Sequence, residues 1–419
     1  MVRENSVLSQ HHAECGILAP VADCAGRIPA PRREGAEGLV SPFTHRIIRR
    51  SIQRMTWKQV LILAITIAPF LRDVGGADPV ALASARKVLL AHGVNPEKAV
   101  LYDGELVLQM GGLDLTEIGF LSGLHVQILE LAENYRLTNI DALASMPLRE
   151  VDICKTAVQS ISSLSGCPIE QLLMIETQVR DLSPLRGRPL HTLAVNGSRV
   201  CNLTPLSRLP LRALYVAGTC VSNIEALAGL PLRTLVIDNT EVVDIAALKG
   251  MPLKMLSLAG TKVRDLNVLT GMPLTELYLN GSRVRDLTPL RGAQIERLDL
   301  SRTEIEDLSA LSGMPLKVLR LSHTQVRNLA ALRGMRLEHV DCIGAPLTDL
   351  SPLAGMPIEY LYISQHQCAS LAAILHHFVG IRRINMVYAE DIPGTPGSED
   401  WVQGIVKALD GKFKAALRQ

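Results

Sequence analysis

Met251-Pro-Leu-Lys-Met-Leu-Ser-Leu-Ala-Gly-Thr-Lys-Val-Arg-Asp-Leu-Asn-Val-Leu-Thr-Gly271 is one of ten consecutive 21-residue units that fill Met146 to Gly355 without an insertion. Numbered from that Met, position 19 is Leu in every unit, from Leu164 and Leu185 to Leu332 and Leu353. Position 13 is always Val, Ile or Leu, and position 16 is always Leu or Ile. A phase held this long marks a solenoid, in which each unit is one coil stacked on its neighbours.

The chemistry of one unit explains why it repeats. Apolar side chains fill positions 1, 3, 6, 8, 13, 16 and 19, and positions 6 and 8 alternate with variable 5, 7 and 9, the period of a short strand. Burying so few side chains does not offset the entropy of ordering a whole coil, so a single unit does not fold alone. Stacked coils bury one another's faces, and their strands form a parallel sheet that satisfies the backbone. Position 11 is Thr or Ser in nine of the ten units, as at Thr240, Thr261, Ser282 and Thr303, where a short hydroxyl bonds backbone at the end of the strand. Position 15 is usually Asp (Asp181, Asp244, Asp265, Asp286, Asp307). Ser-Pro or Thr-Pro at Ser183, Thr204, Thr288 and Ser351 reads as a cap followed by Pro at a first helical position, which predicts a short turn or 3₁₀ segment on the convex side. Gly at 21 and Pro at 2 punctuate the return to the strand.

The unit Leu-x-x-Leu-x-Leu-x-x-Thr-x-Val-x-Asp-Leu-x-Pro-Leu resembles a bacterial leucine-rich repeat of the internalin-like kind over about two-thirds of the chain. It departs from that pattern in carrying Thr or Ser where Asn is usual at position 11. It is also one residue shorter between the position-19 Leu and the next strand. The resemblance implies an α/β-type solenoid, a leucine-rich repeat horseshoe or arc with a parallel sheet on the concave face, short turns or 3₁₀ segments on the convex face, and capped ends. For function it implies a recognition scaffold.

Outside the array the text changes. Residues 1–54 lack periodicity, carry eight Arg and no Lys, and are expected to be disordered or a non-native extension, with Met55 as an alternative start. Residues 55–77 pair a basic start with the apolar run 60–71 and small residues before Asp78, which predicts a signal peptide or a membrane anchor; packing of that run in a cytoplasmic chain is the alternative. Residues 78–102 read as an N-terminal cap of a helix plus a hairpin strand turning at Asp103-Gly104, and 103–386 as the solenoid, with one extra residue in the coil at 124–145 around Tyr135. Residues 387–397 read as a linker and 398–419 as an amphipathic helix, either a lid on the last coil or a basic surface for a partner or membrane.

A net charge of +2 and 3% aromatics give no bulk attraction to nucleic acid. The eight cysteines show no zinc spacing. Cys201 and Cys220 fall on neighbouring coils two positions out of register, so no disulfide framework is read. No catalytic, metal or cofactor motif is found, and the chain is read as a non-enzyme without a cofactor. Specificity then lies in the variable strand positions. Position 7 runs Asp152, Leu173, Ala194, Tyr215, Val236, Ser257, Tyr278, Asp299, Arg320, Asp341, Tyr362, with Ile175 at position 9. An apolar and tyrosine-bearing strip edged by charge suits a protein partner, so Leu173, Ile175, Tyr215, Val236, Tyr278, Asp299, Arg320, Asp341 and Tyr362 are the candidate partner-binding residues. The same residues are also good sheet formers on an exposed face. Lys262, Arg264, Arg283 and Arg285, at positions 12 and 14, read as a solvated, self-paired face beside Asp265, Asp286, Glu304 and Glu306. Two functions follow: an exported or envelope-associated protein-binding module, or a structural spacer with no concave-face ligand. Partner identity and oligomeric state are not encoded legibly.

Overall fold

The computed structural model describes residues 79–378, 380–385, 387–388 and 398–416. The expected extension (1–54) and signal or anchor (55–77) lie outside the described residues.

Within the ten 21-residue units each strand is three residues long because only positions 5–7 run straight before the chain turns, as in Met255–Ser257 and Glu276–Tyr278. Among the described residues sixteen strands line up in sequence order in one sheet. Ala99–Tyr102 and Glu105–Gln109 form an antiparallel hairpin at one end, and from Glu105–Gln109 to Arg383–Ile384 the neighbours are parallel. There is no stagger, since Leu256, Leu277 and Leu298 are direct partners. The ladder extends past the strand: Leu258 and Gly260 N–H donate at 2.8 Å to the Tyr278 and Asn280 carbonyls of the next coil. Position 10 turns the chain through positive φ to do this, even where the residue is Arg302 (58°) or His323 (57°). Five of the ten units place Gly there. At Gly344 a Cβ would stand 2.4 Å from His323 Nδ1 of the preceding coil.

Positions 6, 8, 13, 16 and 19 form the core. Leu256, Leu258 and Val263 have no exposure, and Leu266 and Leu269 are almost as deeply buried. The position-11 hydroxyl closes the strand end from inside its own coil: Thr156, Thr177, Thr219, Thr240, Thr261, Thr303 and Thr324 each donate to the position-8 carbonyl three residues back. Asn134 is the exception that bridges coils. Its side chain donates to Met110 and Leu131 carbonyls at 2.9 and 2.8 Å and accepts from Leu115 N–H at 2.9 Å. The extra residue of this coil follows directly, at Tyr135, which is 59% exposed.

The convex side carries a 3₁₀ turn at positions 17–19 of each repeat, for example Ser183–Leu185 and Thr288–Leu290. The capping assignment made from the Ser-Pro pairs is corrected. Ser183 and Thr288 are themselves the first residues of the turn, Pro stands second, and the residue before it is a buried Leu with nothing to offer. The cap is the position-15 side chain. Asp181, Asp244, Asp286 and Asp349 accept the position-17 N–H at 2.7–2.8 Å, and Asn202 and Asn328 do the same at 2.9 and 2.7 Å. These bonds, with the one Asp307 accepts from Ser309 N–H at 2.8 Å, hold the Asp181, Asp286, Asp307 and Asp349 carboxyls below their usual pKa.

A second correction concerns Cys201 and Cys220, which form a disulfide with 4.7 Å between their Cα atoms. The flank of the coil does not keep the register of the strands. Position 12 N–H donates to the position-13 carbonyl of the preceding coil, as in Arg199 to Val179, Lys262 to Val242 and Arg283 to Val263, each at 3.1 Å. In a parallel pair that bond sets position 12 against position 14 of the coil before. The two-residue offset therefore brings the thiols together. Arg285 and Glu304 form an ion pair across the same offset, and Lys262 pairs with Glu241, so this basic cluster is partly self-paired.

The helix Pro79–Ala91 buries Ala85 and Leu89 at the first end. At the other, Val387–Tyr388 pair antiparallel with Arg383–Ile384, so the sheet continues into residues read as linker. The helix Glu399–Ala416 buries Trp401, Ile405 and Leu409 and lies against Cys368–Ile374 and Val387–Tyr388.

Thr261→Val keeps the shape but removes a buried hydroxyl that donates to Leu258 O at 2.7 Å. It is expected to lower unfolding free energy by about 1–2 kcal/mol in urea titration. An unchanged midpoint would remove the position-11 bond as a source of stability.

Candidate partner-binding face

Period-two alternation puts positions 5, 7 and 9 on the face of the sheet that the core does not use. The zero-stagger register then turns position 7 into a continuous column: Leu173, Ala194, Tyr215, Val236, Ser257, Tyr278, Asp299, Arg320, Asp341 and Tyr362 are successive partners. All nine candidate residues thus belong to one face, with Ile175 two residues beyond Leu173.

Their exposure is uneven. Tyr215 is 4% exposed, Val236 3%, Tyr278 8% and Asp299 5%. Neighbouring strands lie about 4.8 Å apart, so each of these side chains is covered by its partners on both sides. Leu173, Ile175, Asp341 and Tyr362 are half-buried and Arg320 is exposed. The middle of the column is a packed floor, and its two ends carry the accessible groups.

Polar groups on this face are tied to one another. Tyr278 Oη donates to Glu276 Oε2 at 2.8 Å, and burial with that carboxylate pushes the phenol well above its usual pKa. Arg297 lies 3.8 Å from Glu276, and Arg320 lies 3.6 Å from Asp299. Asp152, Asp299 and Asp341 each accept the N–H two residues on, at Cys154, Ser301 and Ile343. Burial raises the Asp152 and Asp341 pKa values. At the far end His339 and Tyr360 rings are 4.4 Å apart, and the Arg383 guanidinium is 5.9 Å from the Tyr362 ring.

The sequence reading passed over position 5. Glu150, Met255, Glu276, Arg297, His339 and Tyr360 share the face two residues upstream of the chosen column, and the strand period alone was enough to find them. No group of His, Cys, Asp and Glu able to hold a metal ion occurs among the described residues.

No family model and no curated protein matches the chain. Solved structures do. An internalin (inlF) from Listeria monocytogenes superposes with a TM-score of 0.52 at 18% identity, over 73% of this chain and 87% of that one. The chain is a leucine-rich repeat solenoid. A leucine-rich repeat protein from Leptospira interrogans (TM-score 0.38, 14% identity, 67% of this chain and 95% of that one) and the leucine-rich repeat domain of APL1 (0.46, 18%, 70% and 82%) are also similar. At these identities the likeness of the leucine-rich repeat array to its neighbours is one of fold.

Glu150 offers a pH test of the face. Burial, with Glu105 and Glu170 nearby, raises its carboxyl to about 6 against the ionic help of Arg149. The fold favours the protonated form, so this contribution to stability is complete below about pH 4.5 and is lost as pH rises through 6. Glu150→Gln is expected to stabilise the protein by about 1–2 kcal/mol at pH 7.5 and to change nothing at pH 4. Equal effects at both pH values, read by urea titration, would refute the assignment.

Proposed function

We propose that this protein is a non-catalytic interaction scaffold that binds a partner protein on the strand face of its repeat array, outside the reducing cytoplasm. The observation that carries the reading is the uninterrupted position-7 column, in which a rigid floor holds accessible groups at fixed spacing: Leu173 and Ile175 near one end, Arg320, Asp341 and Tyr362 near the other. A face fixed before binding loses little side-chain freedom on docking, which favours affinity. Tyr215, Val236, Tyr278 and Asp299 act from beneath by setting the shape of the floor. No nucleic acid, cofactor or metal is assigned.

Two features support an exported or envelope-associated location. One is the 55–77 segment read from sequence. The other is the Cys201–Cys220 disulfide, since such bonds persist in oxidising surroundings. No described helix is long and apolar enough to cross a membrane; the apolar run 60–71 is the candidate anchor read from sequence. The burial of the middle of the column favours a second reading, a spacer whose specificity lies in its ends.

Site-specific photo-crosslinking separates these readings. A crosslinker at 173, 320 or 362 is expected to trap one common protein, and one at 246 or 267 on the convex turns is expected to trap none. Equal labelling from both faces would leave the spacer.

A further inference from the structure

The flank offset that joins Cys201 to Cys220 sets position 14 of each coil against position 12 of the next. One coil earlier the same offset brings two cations together, Arg180 and Arg199, both exposed. Arg199 N–H donates to Val179 O at 3.1 Å, so the two backbones lie about 4.8 Å apart and like charges oppose each other at a cost. Among the described residues neither guanidinium has an ion pair. Their neighbours in the two columns are Gln159, Gln178, Cys201 and Cys220, none of them acidic. The other like-charge seam, Arg264 and Arg283, differs in this. There Glu304 follows Arg283 in its column, and the flanking Lys262 and Arg285 are paired with Glu241 and Glu304.

Position 15 singles out the same place. It is Asp or Asn in nine units, and all nine side chains accept the position-17 N–H at 2.7–2.9 Å. In the unit before Arg180 it is Ser160, which accepts the Ser162 N–H at 3.3 Å and donates to Ser162 Oγ at 3.1 Å. The array here gives up its stronger cap, and with it a bulkier side chain. A cleft of about 310 Å³ lies at this point, with Arg180, Arg199, Gln159, Gln178, Ser160 and Ser162 in its wall. Because Ser160 donates to Ser162, the Ser162 hydroxyl proton is left for a further acceptor. Asp181, the acid in the wall, accepts the Ser183 N–H at 2.8 Å and interacts with Arg186. Glu176, at the strand end of the same coil, interacts with Lys155.

We infer that this cleft binds a phosphate group, as the free ion or as a small phosphate monoester, between Arg180 and Arg199. Two guanidiniums match the charge of about −1.5 to −2 that a phosphate monoester carries near neutral pH. Each presents a planar fork of N–H donors to phosphate oxygens, and Ser162 and Gln178 add neutral donors. The volume stands at the lower end of ligand clefts, which suits a small molecule. A dicarboxylate carries the same charge on two separate planar groups, a poorer match to two cations held across one seam.

The test is calorimetric titration of the full chain, in low-salt buffer free of phosphate, with inorganic phosphate, glycerol phosphate and glutarate as a dicarboxylate of similar charge. Saturable binding of at least one phosphate is expected at about pH 7.5, where both are mostly dianions. R180Q/R199Q is expected to weaken it by about ten-fold or more, and to fold at least as well because like charges are removed. R264Q/R283Q, the same charge change at the other seam, is expected to weaken it less than about two-fold. S160D is expected to weaken it by about five-fold or more by adding a carboxylate to the wall, while the thermal midpoint holds or rises because the cap is restored. Tighter binding of glycerol phosphate assigns the site to an ester and tighter binding of inorganic phosphate to the free ion, and either upholds the inference. Absence of saturable phosphate binding overturns it, as does equal weakening by both double variants. Glutarate bound as tightly as the better phosphate overturns it in favour of carboxylates.

Discussion

Everything in this array depends on main-chain hydrogen bonds that each coil makes to the next at two levels, the strand and the flank. Both ladders run along one axis, and both require that the same number of residues separates them in every turn. That is why the unit keeps its phase from Met146 to Gly355. The apolar side chains at positions 6, 8, 13, 16 and 19 fill the space the ladders enclose. A one-residue slip at the strand would send positions 6 and 8 outward. Where the chain does admit an extra residue, it does so after Asn134, whose side chain takes over the bonding between coils.

The fold was legible because periodicity is a property of many residues at once. Leu at position 19 and the alternation across positions 5–9 located the core and the strands before any coordinate was known. What the sequence hid was local and relational. Position 15 caps the 3₁₀ turn because its carboxylate reaches two residues forward, whereas the Ser or Thr of the Ser-Pro pair already belongs to the turn. Positive φ at position 10 was signalled by five glycines but disguised by Lys155, Glu176, Asn239, Arg302 and His323 in the same place. The disulfide was missed because strand register was carried over to a flank that is offset by two residues.

The candidate face was half legible. Alternation placed Tyr215, Val236 and Tyr278 on the side of the sheet away from the core, but side-chain direction says nothing about cover. Partners about 4.8 Å away on each side bury a ring that a lone strand would expose. The same stacking turns single substitutions into columns, so that a charge is read by its neighbours in the coils before and after. Arg149, Lys317 and Arg382 are neutralised in this way.

In a structure whose units touch only the units beside them, every junction is a seam along which the stack can part. Cys201 and Cys220 close one such seam near the middle of the array with a covalent bond. When the bond is intact, the two coils open and close as one block, and a disturbance entering from either end meets a stretch twice as long as the rest. When the thiols are reduced, that seam is held by packing and hydrogen bonds like all the others. The length over which this protein behaves as a single mechanical piece is thereby set partly by the oxidant around it.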